Sequence, residues 1–175
     1  ICPDLNSVAT LVIPSKSAAA DPFVAQTIRE AEAIWIAGGA QDDYINYWAG
    51  TPVQDALNTA ISNGVPIGGT SAGLAVLTQY VYSALGSKGV TSAQALADPY
   101  NRYITLASDF VILPVLAGVI GDTHFATRDR MGRALAFLCR ITNEGWDQSP
   151  RALAVDEETA LEIPAHGPAT VASNG

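Results

Sequence analysis

The residues best suited to chemistry in this chain form a short glycine-rich segment around a serine. Residues 69–73 read Gly-Thr-Ser-Ala-Gly, which gives Ser71 the glycine spacing of a nucleophile elbow. The apolar stretch 65–68 predicts a strand before it, and 72–81 predicts a helix after it. Such a turn lifts the serine oxygen above the carboxyl end of a sheet and supplies N–H groups for an oxyanion. The alternative is a glycine-rich turn whose serine only caps a helix.

A serine nucleophile needs a base that titrates near neutrality, and histidine is the usual one. The chain has two histidines. His166 lies between alanine and glycine in a predicted exposed loop, whereas His124 follows an apolar run and precedes a predicted helix. We therefore select His124 as the base.

Three arginines follow His124 within nine residues: Arg128, Arg130 and Arg133. Guanidinium groups bind carboxylates through paired hydrogen bonds, so one interpretation is recognition of a substrate carboxylate. The other is a salt-bridged helix in which Asp129, four residues before Arg133, pairs with it. The pattern alone does not choose between them.

Three consecutive acids, Asp156, Glu157 and Glu158, follow a predicted strand. One of them could orient the imidazole of a catalytic triad. An acidic, solvated turn is the commoner use of such a run, and spacing does not select one of the three carboxylates.

Strands and helices alternate along the chain, which predicts an α/β domain with a mostly parallel sheet and helices on both faces. Asp21-Pro22 and Thr51-Pro52 are typical helix starts. The predicted strands lie at 7–13, 34–37, 65–68, 152–155 and 160–163, with strand pieces in 110–120. The predicted helices lie at 21–33, 51–64, 72–81, near Ala93 and at 126–141.

Composition excludes several classes of protein. The hydrophobic content of 49% is that of a folded domain rather than a disordered chain. The net charge of −8 argues against a nucleic-acid partner, and no apolar run is long enough to span a bilayer. Cys2 and Cys139 lack metal-ligand spacing, and either a disulfide or two free thiols fit them. Few lysines and many alanines indicate a bacterial protein, secreted or periplasmic, although the compartment stays open.

Four segments in this order resemble the cyanophycinases and their relatives the aspartyl dipeptidases, which are serine peptidases with a class I glutamine-amidotransferase-like fold. The resemblance runs from Leu11 to about Glu162. The segments are Ile-Ala-Gly-Gly-Ala-Gln at 36–41, the elbow at 69–73, Asp-Thr-His-Phe-Ala-Thr-Arg-Asp-Arg-Met-Gly-Arg at 122–133, and Val-Asp-Glu-Glu-Thr-Ala-Leu at 155–161.

The resemblance implies a triad of Ser71, His124 and Glu157. The order Ser, His, acid differs from the Ser, acid, His order of α/β-hydrolase esterases. With this triad, the N–H groups of Gly39 and Ala72 are the expected oxyanion donors. The implied pocket contains Gln41, Asp122, Arg128, Arg130 and Arg133, together with Thr123 at a position where the family has glutamine. The implied substrate is a peptide or polymer of β-linked aspartyl-arginine units, with no metal or organic cofactor.

Further expectations follow from two departures and from the family's relatives. Thr123 in place of glutamine leaves an aspartyl dipeptidase or a related exopeptidase on another acidic peptide as the alternative activity. A glutamine amidotransferase would need cysteine at position 71, and an inactive peptide-binding homologue is the non-enzymatic alternative. The family's glycine-rich first strand is absent, so we expect 1–175 to be one hydrolase domain that lacks N-terminal strands, as a truncated or processed piece. An unpaired sheet edge would then favour a homodimer or a partner fragment.

Overall fold

The computed structural model describes residues 6–86 and 89–173 of the chain. Its helices are α1 (Lys16–Ala19), α2 (Pro22–Arg29), α3 (Gln41–Trp48), α4 (Pro52–Ser62), α5 (Ala72–Ala75), α6 (Ser92–Ala97) and α7 (Met131–Asn143). Its strands are β1 (Ile34–Ile36), β2 (Ile67–Gly69), β3 (Tyr80–Tyr82), β4 (Leu106–Ser108), β5 (Val119–Thr123), β6 (Arg151–Val155), β7 (Thr159–Glu162) and β8 (Thr170–Ser173). The alternation confirms the predicted mixed α/β class.

The strands that carry the candidate site pair in parallel. Strands β1 and β2 form one parallel pair, and β5 pairs in parallel with both β3 and β6 in a sheet of order β4-β3-β5-β6. Strand β4 joins the edge of that sheet in the antiparallel sense, and β7 and β8 form an antiparallel ribbon. Parallel pairing places the carboxyl ends of β5 and β6 at the same edge of the sheet.

Helices cover both faces of β3. Val81 belongs to the core cluster that contains Leu57 of α4, whereas Tyr80 and Tyr82 belong to a second cluster with Phe137 of α7. Since neighbouring residues of a strand point to opposite faces, the two clusters lie on opposite sides of the sheet. This arrangement is the one that the alternating sequence pattern predicts.

The predicted strand at 7–13 is wrong. This segment makes no ladder with the described strands. Val8 and Val12 are 79% and 80% exposed, whereas Leu11 and Ile13 pack against the core. The apolar residues of this segment therefore reflect packing of Leu11 and Ile13 against the core rather than strand pairing.

Three predicted helices have different bounds in the structure, and the one predicted over 21–33 ends at Arg29. The helix predicted over 72–81 ends at Ala75, and the Thr78 hydroxyl donates to Tyr80 O at 2.8 Å in the turn that leads into β3. The helix predicted over 126–141 begins only at Met131, because Asp129 takes a left-handed φ of 48° that a helix cannot contain.

Three smaller expectations have different outcomes. In the described ranges, no helix has the length and apolar character needed to cross the bilayer. His166 is exposed in the loop between β7 and β8, as predicted. Cys139 is exposed on α7, while Cys2, and with it the question of a disulfide, lies outside the described residues.

Candidate active site

Three connections at the carboxyl ends of strands bring the predicted triad together. Strand β2 leads through one residue to Ser71, β5 ends directly before His124, and β6 ends two residues before Glu157. The continuous register between β5 and β6 places the His124 and Glu157 connections side by side. The ends of parallel strands in the β1-β2 pair and in the four-stranded sheet therefore supply the three residues, as expected for an α/β arrangement with parallel strands.

The backbone around Ser71 has the geometry of a nucleophile elbow. Ser71 takes φ 53° and ψ −118°, a strained conformation for a residue other than glycine. A Cβ on Gly73 would lie 2.1 Å from the carbonyl oxygen of Ile36, and one on Gly69 would lie 2.4 Å from the backbone of Gly73. Both flanking glycines are therefore required, since β1 and α5 approach the turn too closely for any side chain.

A hydrogen-bonded chain joins Ser71, His124 and Glu157. Ser71 Oγ lies 2.9 Å from His124 Nε2, and His124 Nδ1 lies 2.8 Å from Glu157 Oε1. Because an ionised carboxylate only accepts, Nδ1 carries the proton of a neutral ring, and Nε2 is left to accept from the serine hydroxyl. The His124 side chain is 21% exposed and that of Glu157 is 50% exposed, so the hydrogen-bonded triad is most accessible to solvent at Glu157.

One predicted oxyanion donor, Ala72, directly follows the serine, and the other, Gly39, follows Gly38 in a loop beside it. Ala72 is the first residue of α5, and its N–H has no acceptor among the described residues. The N–H of Gly39 likewise has none within the described part of the chain. A Cβ on Gly38 would lie 3.1 Å from Ser71 Cβ, so the backbone of this loop passes directly beside the nucleophile. The assignment of Gly39 and Ala72 stays a prediction.

Tyr44 supports that glycine loop, and sequence reasoning did not identify it. Its hydroxyl donates to the carbonyl oxygen of Ala37 at 2.7 Å and lies 3.0 Å from where a Cβ on Gly39 would be. Burial, and then the neighbouring Asp43 carboxylate, raise the pKa of Tyr44. The phenol is therefore protonated at neutral pH and available as a donor. Tyr44 is in α3, a helix that the apolar periodicity did not predict.

Two of the three arginines bind Asp122 rather than open solvent. Arg133 donates through Nε to Asp122 Oδ2 at 2.7 Å and through Nη2 to Oδ1 at 2.5 Å. Arg130 Nη1 donates to Asp122 Oδ1 at 3.1 Å and to the carbonyl of Thr123 at 2.7 Å. Asp122 and Arg133 are 5% and 4% exposed. These three residues form a buried ion cluster at the end of β5.

The surroundings of this ion cluster correct the helical interpretation of the arginines. Arg130 precedes α7, so it shares no helix face with Arg133, and Asp129 does not pair with Arg133. The Arg133 guanidinium instead lies over the Tyr82 ring at 5.1 Å. Burial, and then the charge of Arg133, lower the pKa of Arg130.

Arg128 differs from the other two arginines. It is exposed, and its guanidinium has no hydrogen bond or ion pair with any described residue. It lines a cleft of about 260 Å³ together with residues 89–92, Asp129, Arg130 and Arg133. Its guanidinium is therefore the one most available to an anionic ligand.

The two remaining predicted pocket residues face backbone or lie in the interior. Gln41 begins α3, and its amide nitrogen donates to the carbonyl of Tyr82 at 2.9 Å. Thr123 is 7% exposed in β5. Among the described residues, no group of histidine, cysteine, aspartate and glutamate has an arrangement suited to a metal ion.

Sequence comparison identifies the class to which this fold and site belong. A sequence model of Peptidase family S51 matches residues 6–97, just over half of the chain. The chain belongs to Peptidase family S51. The matched segment contains the elbow and ends before His124 and Glu157.

Particular relatives include two cyanophycinases. The chain is 34% identical over 112 residues to that of Geminocystis herdmanii, and 26% identical over 137 residues to that of Trichormus variabilis. These matches cover 63% and 78% of this chain but only 37% and 40% of the relatives. The fold is similar to that of a peptidase from an acI-B1 Actinobacterium, with a TM-score of 0.64, 17% identity, and coverage of 93% of this chain and 58% of that one.

Proposed function

We propose that the chain carries the catalytic site of a serine-type peptidase that cleaves amide bonds next to aspartyl residues. The observation that carries this proposal is the continuous chain from Ser71 Oγ through His124 to Glu157, with both contacts below 3 Å. Family membership and the named cyanophycinases support the same class. We also propose that the α/β fold is of the class I glutamine-amidotransferase-like type.

In the proposed reaction, Ser71 Oγ bonds to the carbonyl carbon of the substrate while its proton passes to His124 Nε2. The carbonyl π electrons move to oxygen, and the N–H groups of Gly39 and Ala72 stabilise the resulting oxyanion. As the C–N bond breaks, the imidazolium gives its proton to the leaving amine. Water then attacks the acyl ester through His124, and the acid product and Ser71 are released. Glu157 holds the ring in its working tautomer and stabilises the imidazolium.

The proposed substrate is cyanophycin, the polymer of aspartyl-arginine units, cleaved to β-Asp-Arg dipeptides. Arg128 is the proposed binding residue for an acidic group beside the scissile bond, because its guanidinium is exposed and unpaired among the described residues. The engagement of Arg130 and Arg133 with Asp122 gives them a supporting role in shaping the cleft. An aspartyl dipeptidase would use the same triad on a shorter substrate, and the length of the preferred peptide distinguishes the two activities.

The first experiment labels the purified chain with a fluorophosphonate probe, which reacts with activated serines whatever the peptide substrate is. We expect labelling at Ser71 that is lost in Ser71→Ala and reduced at least about a hundredfold in His124→Ala. His166→Ala is the matched control and should label like the unmodified chain, because His166 is exposed and takes no part in the hydrogen bonds of the triad. Absence of labelling in the unmodified chain would contradict an active triad and favour a peptide-binding homologue.

The second experiment measures the release of β-Asp-Arg from cyanophycin and of free aspartate from β-aspartyl dipeptides. We expect release from the polymer by the unmodified chain and none by Ser71→Ala. Labelling at Ser71 without release from either substrate would reject the proposed substrate while leaving the serine mechanism intact.

A further inference from the structure

The hydrogen bond between His124 and Glu157 is too weak to set the positions of both residues by itself. Both residues lie in exposed turns with a left-handed residue, His124 at φ 48° and Glu158 at φ 56°. In the described part of the chain, the Glu157 carboxylate makes one hydrogen bond, to His124 Nδ1, and it is half exposed. Exposed ion pairs contribute at most about 1 kcal/mol, because water and salt screen them and side-chain entropy opposes them. The β5–β6 ladder holds the chain together only as far as Thr123 and Val155, so another contact is needed to fix the two turns beyond it.

Asp156 supplies such a contact from the position directly before Glu157. Its Oδ1 accepts from the Thr127 hydroxyl at 2.9 Å and from the Thr127 N–H at 3.4 Å. Thr127 lies within the turn that Arg128 N–H closes by donating to the carbonyl of His124 at 3.0 Å. One carboxylate therefore ties the turn after β6 to the turn that contains His124.

The charge of Asp156 strengthens this connection. Backbone N–H groups of Glu157, Thr127 and Ala126 and the Thr127 hydroxyl surround the carboxylate, with the Glu157 N–H as the largest influence, and they lower the pKa of Asp156. Asp156 is therefore ionised at neutral pH. Hydrogen bonds to a charged acceptor are about twice as strong as those between neutral groups.

We propose that Asp156, through its bonds to Thr127, is a positioning residue that holds Glu157 against His124 Nδ1. The Asp156 side chain makes no hydrogen bond with Ser71 or His124 in the described structure, and it acts through Glu157. The inference rests on the proposed function to the extent that the His124–Glu157 contact serves catalysis. The geometric part, that Asp156 sets this contact, stands apart from any reaction.

The geometric part is tested without catalysis, through the tautomer of His124 in ¹⁵N-labelled protein. The chain has two histidines, and the exposed His166 serves as an internal reference. We expect His124 to be the Nδ1–H tautomer in the unmodified chain and in Thr127→Ser. Asp156→Ala and Thr127→Val should give a mixture of tautomers. An unchanged His124 signal in folded Thr127→Val would overturn the proposal, and this variant answers the question even if Asp156→Ala does not fold.

The catalytic part is tested by the rate of fluorophosphonate labelling at Ser71. We expect Asp156→Ala to slow labelling by about tenfold, the effect of losing one charge-assisted hydrogen bond. Asp156→Asn keeps an acceptor oxygen and should recover part of the rate. Glu158→Gln is the matched control, since the Glu158 side chain is exposed and makes no hydrogen bond or ion pair with the described residues, and its rate should not change.

A double-mutant cycle separates positioning from a general structural effect. In the Glu157→Gln background, Asp156→Ala should slow labelling less than about twofold further, because contacts that act through one residue are not additive. A second full tenfold loss there would overturn the proposal. If the unmodified chain does not label, the proposed function fails, and the His124 tautomer still decides whether Asp156 positions Glu157.

Discussion

Replacing Asp122 by asparagine should destabilise the fold strongly. The substitution preserves shape and removes the negative charge between the guanidinium groups of Arg130 and Arg133. Asp122 and Arg133 are each about 95% buried, so water cannot solvate the arginine charges that lose their carboxylate partner. Breaking a buried ion pair by removing one partner costs about 3–5 kcal/mol. Since domains are stable by only about 5–15 kcal/mol, Asp122→Asn should lose a large share of the free energy of unfolding.

Urea unfolding followed by circular dichroism measures this loss. The slope of free energy against urea should stay the same, so that the change appears as a lower midpoint. Arg128→Ala is the control, because the Arg128 side chain is exposed near the ion cluster and has no partner among the described residues. It should change stability by less than about 0.5 kcal/mol. A loss below about 1 kcal/mol for Asp122→Asn would refute the reasoning, since it would mean that the two arginines are adequately solvated without their carboxylate.

Three further predictions concern the backbone and the acid limit of stability. Gly73→Ala should lower the free energy of unfolding by about 3 kcal/mol or more, because the added methyl would lie 2.1 Å from the carbonyl oxygen of Ile36. Gly89→Ala, whose added methyl would meet open space, should lower it far less. Equal losses for the two variants in thermal unfolding would contradict the clash. Ser71→Gly should be more stable than Ser71→Ala by about 1 kcal/mol in urea unfolding, because glycine relieves the strain at φ 53°. Coincident unfolding curves for the two variants would show that the turn is unstrained. The pKa of Asp156 is lower in the folded state, chiefly because the next backbone N–H donates to it, so its contribution to stability is complete above about pH 4 and is lost as the pH falls through the folded value. Asp156→Asn should therefore show a smaller loss of stability between pH 5 and pH 3 than the unmodified chain, as measured by urea midpoints; parallel pH profiles would reject this assignment.

Features of the sequence that act locally predicted the structure well. Asp21 accepts from a main-chain N–H at the start of α2 and Pro22 is the first helical residue, as the Asp-Pro pair indicated. The glycines beside Ser71 predicted a tight strand-to-helix turn, and close backbone contacts require them. In these cases the residue type and the backbone conformation are tied within a few positions, so one sequence is sufficient.

Features set by distant contacts were predicted less well. The helix expected to continue beyond Ala75 ends there, and residues 80–82 instead form β3, a buried strand that pairs with β5. The partner of Arg133 is Asp122, eleven residues away, rather than Asp129 at helical spacing. Spacing along a helix cannot identify such a partner, because the turn after His124 reverses the chain. The spacing of the three consecutive acids did not separate them, and only the family resemblance indicated Glu157. In the structure, Glu157 contacts His124, whereas Asp156 accepts from Thr127.

The separation of the three site residues along the chain has a consequence for folding. Ser71 and His124 are 53 residues apart, and His124 and Glu157 are 33 apart, so the site exists only after the strands β2, β5 and β6 have assembled. Contacts between distant residues form late, because the entropy of closing long loops must be overcome first. Labelling of Ser71 by a serine-directed probe should therefore report on the last stage of folding. A chain that has regained its helices should stay unlabelled until β2, β5 and β6 have assembled.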